Sequence, residues 1–127
     1  MALILDTNAL SAFAEGNQAL RKAIDEEPDL ALPAVVLGEY YFGIRQSRLR
    51  ARYEDWLRRH TSAFQVLRLG ETTASHYADI RSELRSVGRP IPSNDLWIAA
   101  AAREHRMGVL SRDRHFEAVR GLKLVPW

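Results

Sequence analysis

Four acids stand in settings that suit chemistry: Asp6, Glu39, Asp95 and Asp113. Asp6 opens an Asp-Thr-Asn stretch directly after Leu3-Ile4-Leu5, and Asp113 sits in Ser-Arg-Asp-Arg-His-Phe. Taken singly, each suits a helix N-cap or turn as readily as a site, because a short carboxylate accepts from the free N–H groups there. Asp95 begins Asp-Leu-Trp-Ile-Ala-Ala, where an acid in a first helical turn favours the helix dipole. It also shares a face with Ile98, Ala99 and Ala102, and an acid on an otherwise apolar stripe points toward a sheet. Glu39 is the most informative of the four. Every other residue from Ala34 to Ile44 is apolar or glycine, and a charge in such a run is rarely buried without a partner. Glu39 is expected to face a site and not bulk water.

Several carboxylates converging without a matching set of lysines need a neutralising partner. Mg²⁺ or Mn²⁺ meets that need, since both prefer carboxylate and water oxygens in octahedral geometry. Such ions activate water and stabilise charge on a phosphoryl group. Of the 18 basic residues only Lys22 and Lys123 are lysines, and six arginines lie between Arg45 and Arg59. Arginine's planar fork matches phosphate oxygens. Arg45, Arg48 and Arg52, with Arg112 and Arg114 beside Asp113, are therefore candidate contacts to a polyanion such as RNA. The same arginines also suit a solvated helix face, and both readings stand.

The elements that must position these acids follow from periodicity. Leu3-Ile4-Leu5, Leu30-Ala31-Leu32, residues 64–69, Val109-Leu110 and residues 122–125 read as short strands. Between them lie helices expected over 8–14, 17–27 (closed by Pro28), from Pro33 to about Ile44, 48–60, 71–87, and from a Ser93 or Asn94 cap to about His105. In the fifth of these, Tyr77, Ile80, Leu84 and Val87 form a helical stripe. Strands alternating with helices predict an α/β fold, a three-layer α/β/α sandwich on a mostly parallel sheet. Ligands of such sheets bind beyond the carboxyl ends of the strands, which is where Asp6 and Asp113 fall.

With 127 residues the chain is expected to form a single domain over 1–127. It has no cysteine, which excludes disulfides, thiolate catalysis and cysteine-bound zinc. Asp6 cuts short the apolar run after Met1, and the apolar stretch Leu96 to Ala102 falls far short of the roughly 18 residues of a membrane span. A soluble, cytoplasmic protein without a membrane partner is expected. No GxxxxGK[ST] or GxGxxG pattern points to a nucleotide cofactor. His60, His76, His105 and His115 lack metal-ligand spacing such as HExxH and read as surface or helix-end residues.

Four segments together resemble the PIN-domain nucleases, and more narrowly the VapC-type toxins of bacterial toxin–antitoxin pairs. They are Leu-Asp-Thr-Asn-Ala-Leu-Ser at 5–11, Gly38-Glu39 with Gly43, Pro-Ser-Asn-Asp-Leu-Trp-Ile-Ala-Ala at 92–100, and Leu-Ser-Arg-Asp-Arg-His-Phe at 110–116. The resemblance implies a metal-dependent endoribonuclease with Asp6, Glu39, Asp95 and Asp113 as catalytic acids and metal ligands for Mg²⁺, with Mn²⁺ able to substitute. It places Asn8 and Ser111 at supporting polar positions; threonine is commoner than serine at the latter, and serine keeps the hydroxyl. It also implies an RNA substrate, a small antitoxin partner and a homodimer. A PIN-type nuclease of RNA maturation remains as an alternative, as does a non-catalytic acidic-pocket binding or signalling module. A phosphorylated signalling domain would want two adjacent acids after the first strand, whereas Leu5 precedes Asp6. A binding module would have no use for Glu39 in its apolar helix.

Overall fold

The computed structural model describes residues 2–27 and 29–127. Five short strands, β1 (Leu3–Leu5), β2 (Leu30–Pro33), β3 (Phe64–Leu67), β4 (Gly108–Leu110) and β5 (Leu124–Val125), form one sheet in the order β3-β2-β1-β4-β5. Every pairing is parallel. The helices are α1 (Thr7–Ala14), α2 (Gln18–Asp25), α3 (Ala34–Arg45), α4 (Arg50–His60), α5 (Glu71–Ser86) and α6 (Ser93–His105). The α/β class expected from the alternation is thus the observed one. Pro28, expected to close α2, lies outside the described residues.

The strands are apolar throughout because both faces of a parallel sheet are covered by its crossover helices. Ile4, Leu5, Ala31, Leu32, Val109 and Leu110 are completely buried. From β1 the chain steps outward to β2 and β3, then returns across the sheet to β4. With right-handed crossovers, that reversal carries α5 and α6 to the face opposite α1–α4. The switch in direction falls between β1 and β4, and there the helices diverge and leave a crevice.

Several boundaries differ from expectation for local reasons. Strand β3 stops at Leu67, two residues before the predicted end. Pro33 ends β2 and stands at the N-cap of α3, so it stops the strand as well as opening the helix. Neither Ser93 nor Asn94 caps α6. Pro92 stands at that N-cap without a side-chain bond, and Ser93 is already helical.

Helix α6 buries more of its residues than any other helix. Ala99, Ala100, Ala101 and Ala102 span more than one turn of direction, yet none is more than 2% exposed. Neighbours therefore press on the helix from all sides, and only a methyl fits. Two outcomes are expected in equilibrium denaturation. Ala100→Leu overpacks this contact and should lower stability by about 1–3 kcal/mol. Ile4→Ala, at the sheet centre, leaves a cavity and should lower it by about 2–5 kcal/mol. A neutral result for Ala100→Leu would mean that α6 has room on one side.

Candidate active site

Strand β1 ends at Leu5, which lies opposite Leu110 of β4. The next residue on each chain is Asp6 and Ser111, both buried. The Ser111 hydroxyl donates to Asp6 Oδ2. Asp6 Oδ1 accepts from Ala9 N at 2.8 Å, capping α1. The cap and the site are therefore not rival readings of Asp6: one oxygen serves each. Ser111 Oγ also accepts from Asp113 N at 2.9 Å, so a single hydroxyl joins the two strand-end acids.

Glu39 comes from the middle of α3. Thr7, the first residue of α1, donates its hydroxyl to Glu39 Oε1 at 2.9 Å, tying the α3 acid to the β1 end. Glu39 is half-buried, as expected, but the reason differs from the one its neighbours suggested. The core stripe of α3 is Val36, Tyr40 and Ile44. Much of the remaining apolar surface is uncovered, with Tyr41 37% and Phe42 69% exposed.

Asp95 enters from the first turn of α6. Its Oδ2 lies 2.9 Å from His115 Nδ1, and the same nitrogen lies 3.0 Å from Asp113 Oδ1. Carboxylates only accept, so Nδ1 carries the proton and serves both. Asp113 Oδ1 also accepts from His115 N at 2.9 Å, which caps the short 3-10 turn Arg114–Ala118. His115 was read as a surface residue in the sequence. It is indeed exposed on one side, yet its ring joins two of the four acids. The usable signal was its position two residues beyond Asp113 on a turn tight enough to fold back. One ligand atom each from Asp95, Asp113 and His115 lie within 4.8 Å of one another.

The electrostatics follow from this crowding. Burial pushes the Asp6 carboxyl above its usual range, against the pull of the Ser111 and Ala9 hydrogen bonds, and the charges of Asp95 and Asp113 push the same way. Asp95 is raised chiefly by burial, opposed by the His115 hydrogen bond and reinforced by the charges of Asp113 and Glu39. His115 is raised, first by its hydrogen bond to Asp95. Asp6 and Asp95 therefore each sense the charge of two other members of the group. Among the described residues no arginine or lysine pairs with any of them.

The supporting residues divide. Ser111 is at the centre. Asn8 is exposed on the first turn of α1. Arg45 lies over the Tyr41 ring at 5.4 Å. Arg48 and Arg52 are exposed, whereas Arg50, Arg58 and Arg59 pair with Glu54 or Asp55 on the same helix. Arg112 is engaged with the C-terminal residue: its Nε donates to the Trp127 carbonyl at 2.6 Å and its guanidinium stacks 3.8 Å from the Trp127 ring. Arg114 is exposed beside Glu117 at 3.4 Å.

Comparison with known proteins gives the family. The PIN domain family model matches residues 3–122. The chain is 31% identical to the VapC ribonuclease Y4jK of Sinorhizobium fredii, covering 98% of this chain and 97% of that one. It is 28% identical to the tRNA(fMet)-specific endonuclease VapC of Shigella flexneri, covering 100% and 98%. Among solved structures it superposes on VapBC-5 of Mycobacterium tuberculosis, a member of the VapBC family of toxin–antitoxin systems. That match has a TM-score of 0.74 and 28% identity, over 98% of this chain and 96% of that one. The family match over residues 3–122 and the 31% identity to a VapC ribonuclease along nearly the whole of both chains place this chain in the PIN-domain family, among its VapC-type members.

Proposed function

We propose that this protein is a metal-dependent endoribonuclease and the toxin of a toxin–antitoxin pair. The observation that carries the reading is the convergence of Asp6, Glu39, Asp95 and Asp113 at the β1–β4 switch point with, among the described residues, no arginine or lysine paired to them. The names of the relatives, ribonuclease and endonuclease, support RNA as the substrate.

The donor set suits a hard divalent cation. It consists of carboxylate oxygens, and two of the carboxyls, Asp6 and Asp95, are held above their usual range chiefly by burial, with the charges of neighbouring acids adding to it. Asp6, Asp95 and Glu39 would hold Mg²⁺, or Mn²⁺ in its place, with Asp113 as a further ligand. A bound cation would supply water activation and neutralise charge gathering on the scissile phosphate. The protein's own residues do the positioning. Ser111 fixes Asp6 by its Oδ2 and Asp113 by its backbone. Thr7 fixes Glu39, and His115 holds Asp95 and Asp113 at a common distance. Asn8 offers an exposed amide to a substrate phosphate.

The partner follows from the solved relative, a toxin–antitoxin complex. A small antitoxin would cover the acids, and the exposed Tyr41 and Phe42 on α3 supply apolar surface of the kind that a homodimer buries. No helix of the described residues is long and apolar enough to cross a membrane, in keeping with a cytoplasmic site of action. Residues 1–127 act as one nuclease domain in this reading. An RNA-maturation role uses the same chemistry; a chain that sediments as a strict monomer and binds no neighbouring gene product would favour it.

Three outcomes test the reading. Purified protein with Mn²⁺ should cut RNA to leave 5′-phosphate and 3′-hydroxyl ends, and chelator should abolish cutting. Asp6→Asn should lose more than the roughly 10–100-fold that removal of a residue behind a metal ligand costs. Cyclic 2′,3′-phosphate ends, or full activity in chelator, would reject metal-assisted hydrolysis.

Substrate binding should depend on salt. A cleavage-dead Asp95→Asn protein should bind RNA with log affinity falling linearly with log salt. Reversing the charge at Arg48 and Arg52 should lower both affinity and slope. Unchanged values would assign those arginines to a solvated face.

Stability should depend on pH and metal together. Asp6 and Asp95 hold their protons, when folded, to higher pH than the unfolded value of about 4. Their contribution is therefore most favourable below that value and declines as pH rises through the raised folded pKa. At pH 7.5 in chelator, Asp95→Asn removes one of the crowded charges and should melt a few degrees above wild type. Excess Mn²⁺ should narrow or invert the gap, since metal stabilises the form that binds it. An Asp95→Asn protein that melts lower in chelator, with equal Mn²⁺ shifts for both, would make Asp95 a helix-end residue only.

A further inference from the structure

A cavity of about 340 Å³ opens beside the acids, with Thr7 and Glu39 at one end and Ser11, Glu15, Tyr40, Ser47 and Tyr53 around it. Its volume is at the small end of ligand pockets. The Tyr40 hydroxyl is buried and has no hydrogen-bond partner, and Tyr40 as a whole is 4% exposed. A buried donor left unpaired is costly, and Tyr40 is one of the residues that line this cavity. Tyr53 and Glu15 line the same cavity as Tyr40.

We infer that this cavity is a nucleobase subsite selective for guanine, seating the base next to the phosphate that is cut. The inference rests on the ribonuclease reading for its link to cleavage, and on the cavity alone for the base. The argument is one of matching donors and acceptors. Glu15 offers a carboxylate, which accepts at two oxygens and cannot donate; Tyr40, Tyr53, Ser11 and Ser47 offer hydroxyls that do either. Of the four RNA bases, guanine alone presents two neighbouring N–H donors, N1 and N2, on its Watson–Crick edge, with the O6 acceptor beside them. A carboxylate takes the first two together, and a hydroxyl donates to the third. Adenine, cytosine and uracil each bring one N–H donor group to that edge and leave part of the set unpaired. Tyr53 supplies a ring for stacking, the usual way in which unpaired RNA bases are held. Ser47 and Tyr53 are next in sequence to Arg48 and Arg52, which places exposed cations beside the rim for the flanking phosphates.

The occupant is argued as RNA because the cavity joins the acids through Thr7 and Glu39, so a strand lying across the acids drops its adjacent base there. A guanidinium from a protein partner also suits Glu15 but has no acceptor for the Tyr40 hydroxyl to donate to.

The test has two arms. In the first, wild type, Glu15→Gln and Tyr40→Phe cut a pool of short RNAs randomised in sequence, and the new ends are sequenced. Wild type should cut at a fixed position beside guanine. Glu15→Gln should lose about tenfold or more of that preference, and Tyr40→Phe a smaller part. In the second arm, GMP, IMP, AMP, CMP and UMP are titrated onto wild type and Glu15→Gln without added metal, followed by NMR shifts of the tyrosine rings. GMP should bind about tenfold more tightly than IMP, which lacks the N2 amino group, and Glu15→Gln should erase the difference. If no RNA is cut but GMP binds with that preference, the subsite stands and the ribonuclease reading fails. If RNA is cut with no base preference and GMP and IMP bind alike, the subsite is overturned and the ribonuclease reading stands. Displacement of the tyrosine signals by an arginine-containing peptide, with no response to GMP, would assign the cavity to a protein partner and overturn the inference.

Discussion

The placement of Leu5 opposite Leu110 in the β1–β4 ladder governs most of what lies at the centre of this molecule. A parallel register admits no half measures: a slip by one residue would turn every side chain of β1 to the other face. With the register held by completely buried leucines and by Ile4 against Val109, the residues that follow on each strand emerge side by side. Asp6 and Ser111 meet for that reason. The Ser111 hydroxyl then passes the constraint to Asp113, and Asp6 passes it to α1, whose first residue holds Glu39. One strand pairing, through two hydroxyls, thus fixes three of the four acids. The fourth, Asp95, is set by the packing of the alanine-rich helix against its neighbours.

Crowding of this kind has an energetic cost, and the fold meets it in two ways. Each acid is given a donor: Ser111 and Ala9 for Asp6, Thr7 for Glu39, and His115 for Asp95 and Asp113. None of those donors brings a permanent charge. A lysine or arginine in their place would have relieved the carboxylates of their mutual repulsion and with it their appetite for a cation. Hydroxyls and an imidazole orient the carboxylates while leaving most of their charge available.

Much of this was legible in the residues. The short apolar strands and the helical stripe gave the parallel α/β arrangement, because parallel sheets are buried on both faces and write that into composition. Val87, expected to end that stripe, instead stands just past α5 and is 64% exposed. Of the four acids only Glu39 broke its local pattern; Asp6, Asp95 and Asp113 each suited a cap or first turn, and it was the resemblance to the PIN-domain nucleases that joined them into a set. What was not legible depended on long-range geometry. His115 has an ordinary sequence context, and only the fold-back of the turn after Asp113 brings its ring to Asp95. The apolar run around Glu39 was read as burial, yet Tyr41 and Phe42 face outward; composition reports apolarity but not which side is covered. Arg112 looked free for a substrate, and its engagement with Trp127 could not be seen without the path of the last strand. The cavity at Tyr40 was equally silent, since a tyrosine in an apolar helix is an ordinary core residue until its hydroxyl is found without a partner.

The Ser111–Asp6 hydrogen bond spans 105 positions. Strand β1 precedes the other four strands in sequence but lies in the middle of the sheet, with β2 on one side and β4 on the other. Leu3 pairs with Leu30 on the first side and with Gly108 on the second, a far more distant partner. Without that second pairing Asp6 has its helix cap but not Ser111 beside it. The acidic centre is thus a product of the completed β1–β4 pairing and not of either half of the chain alone.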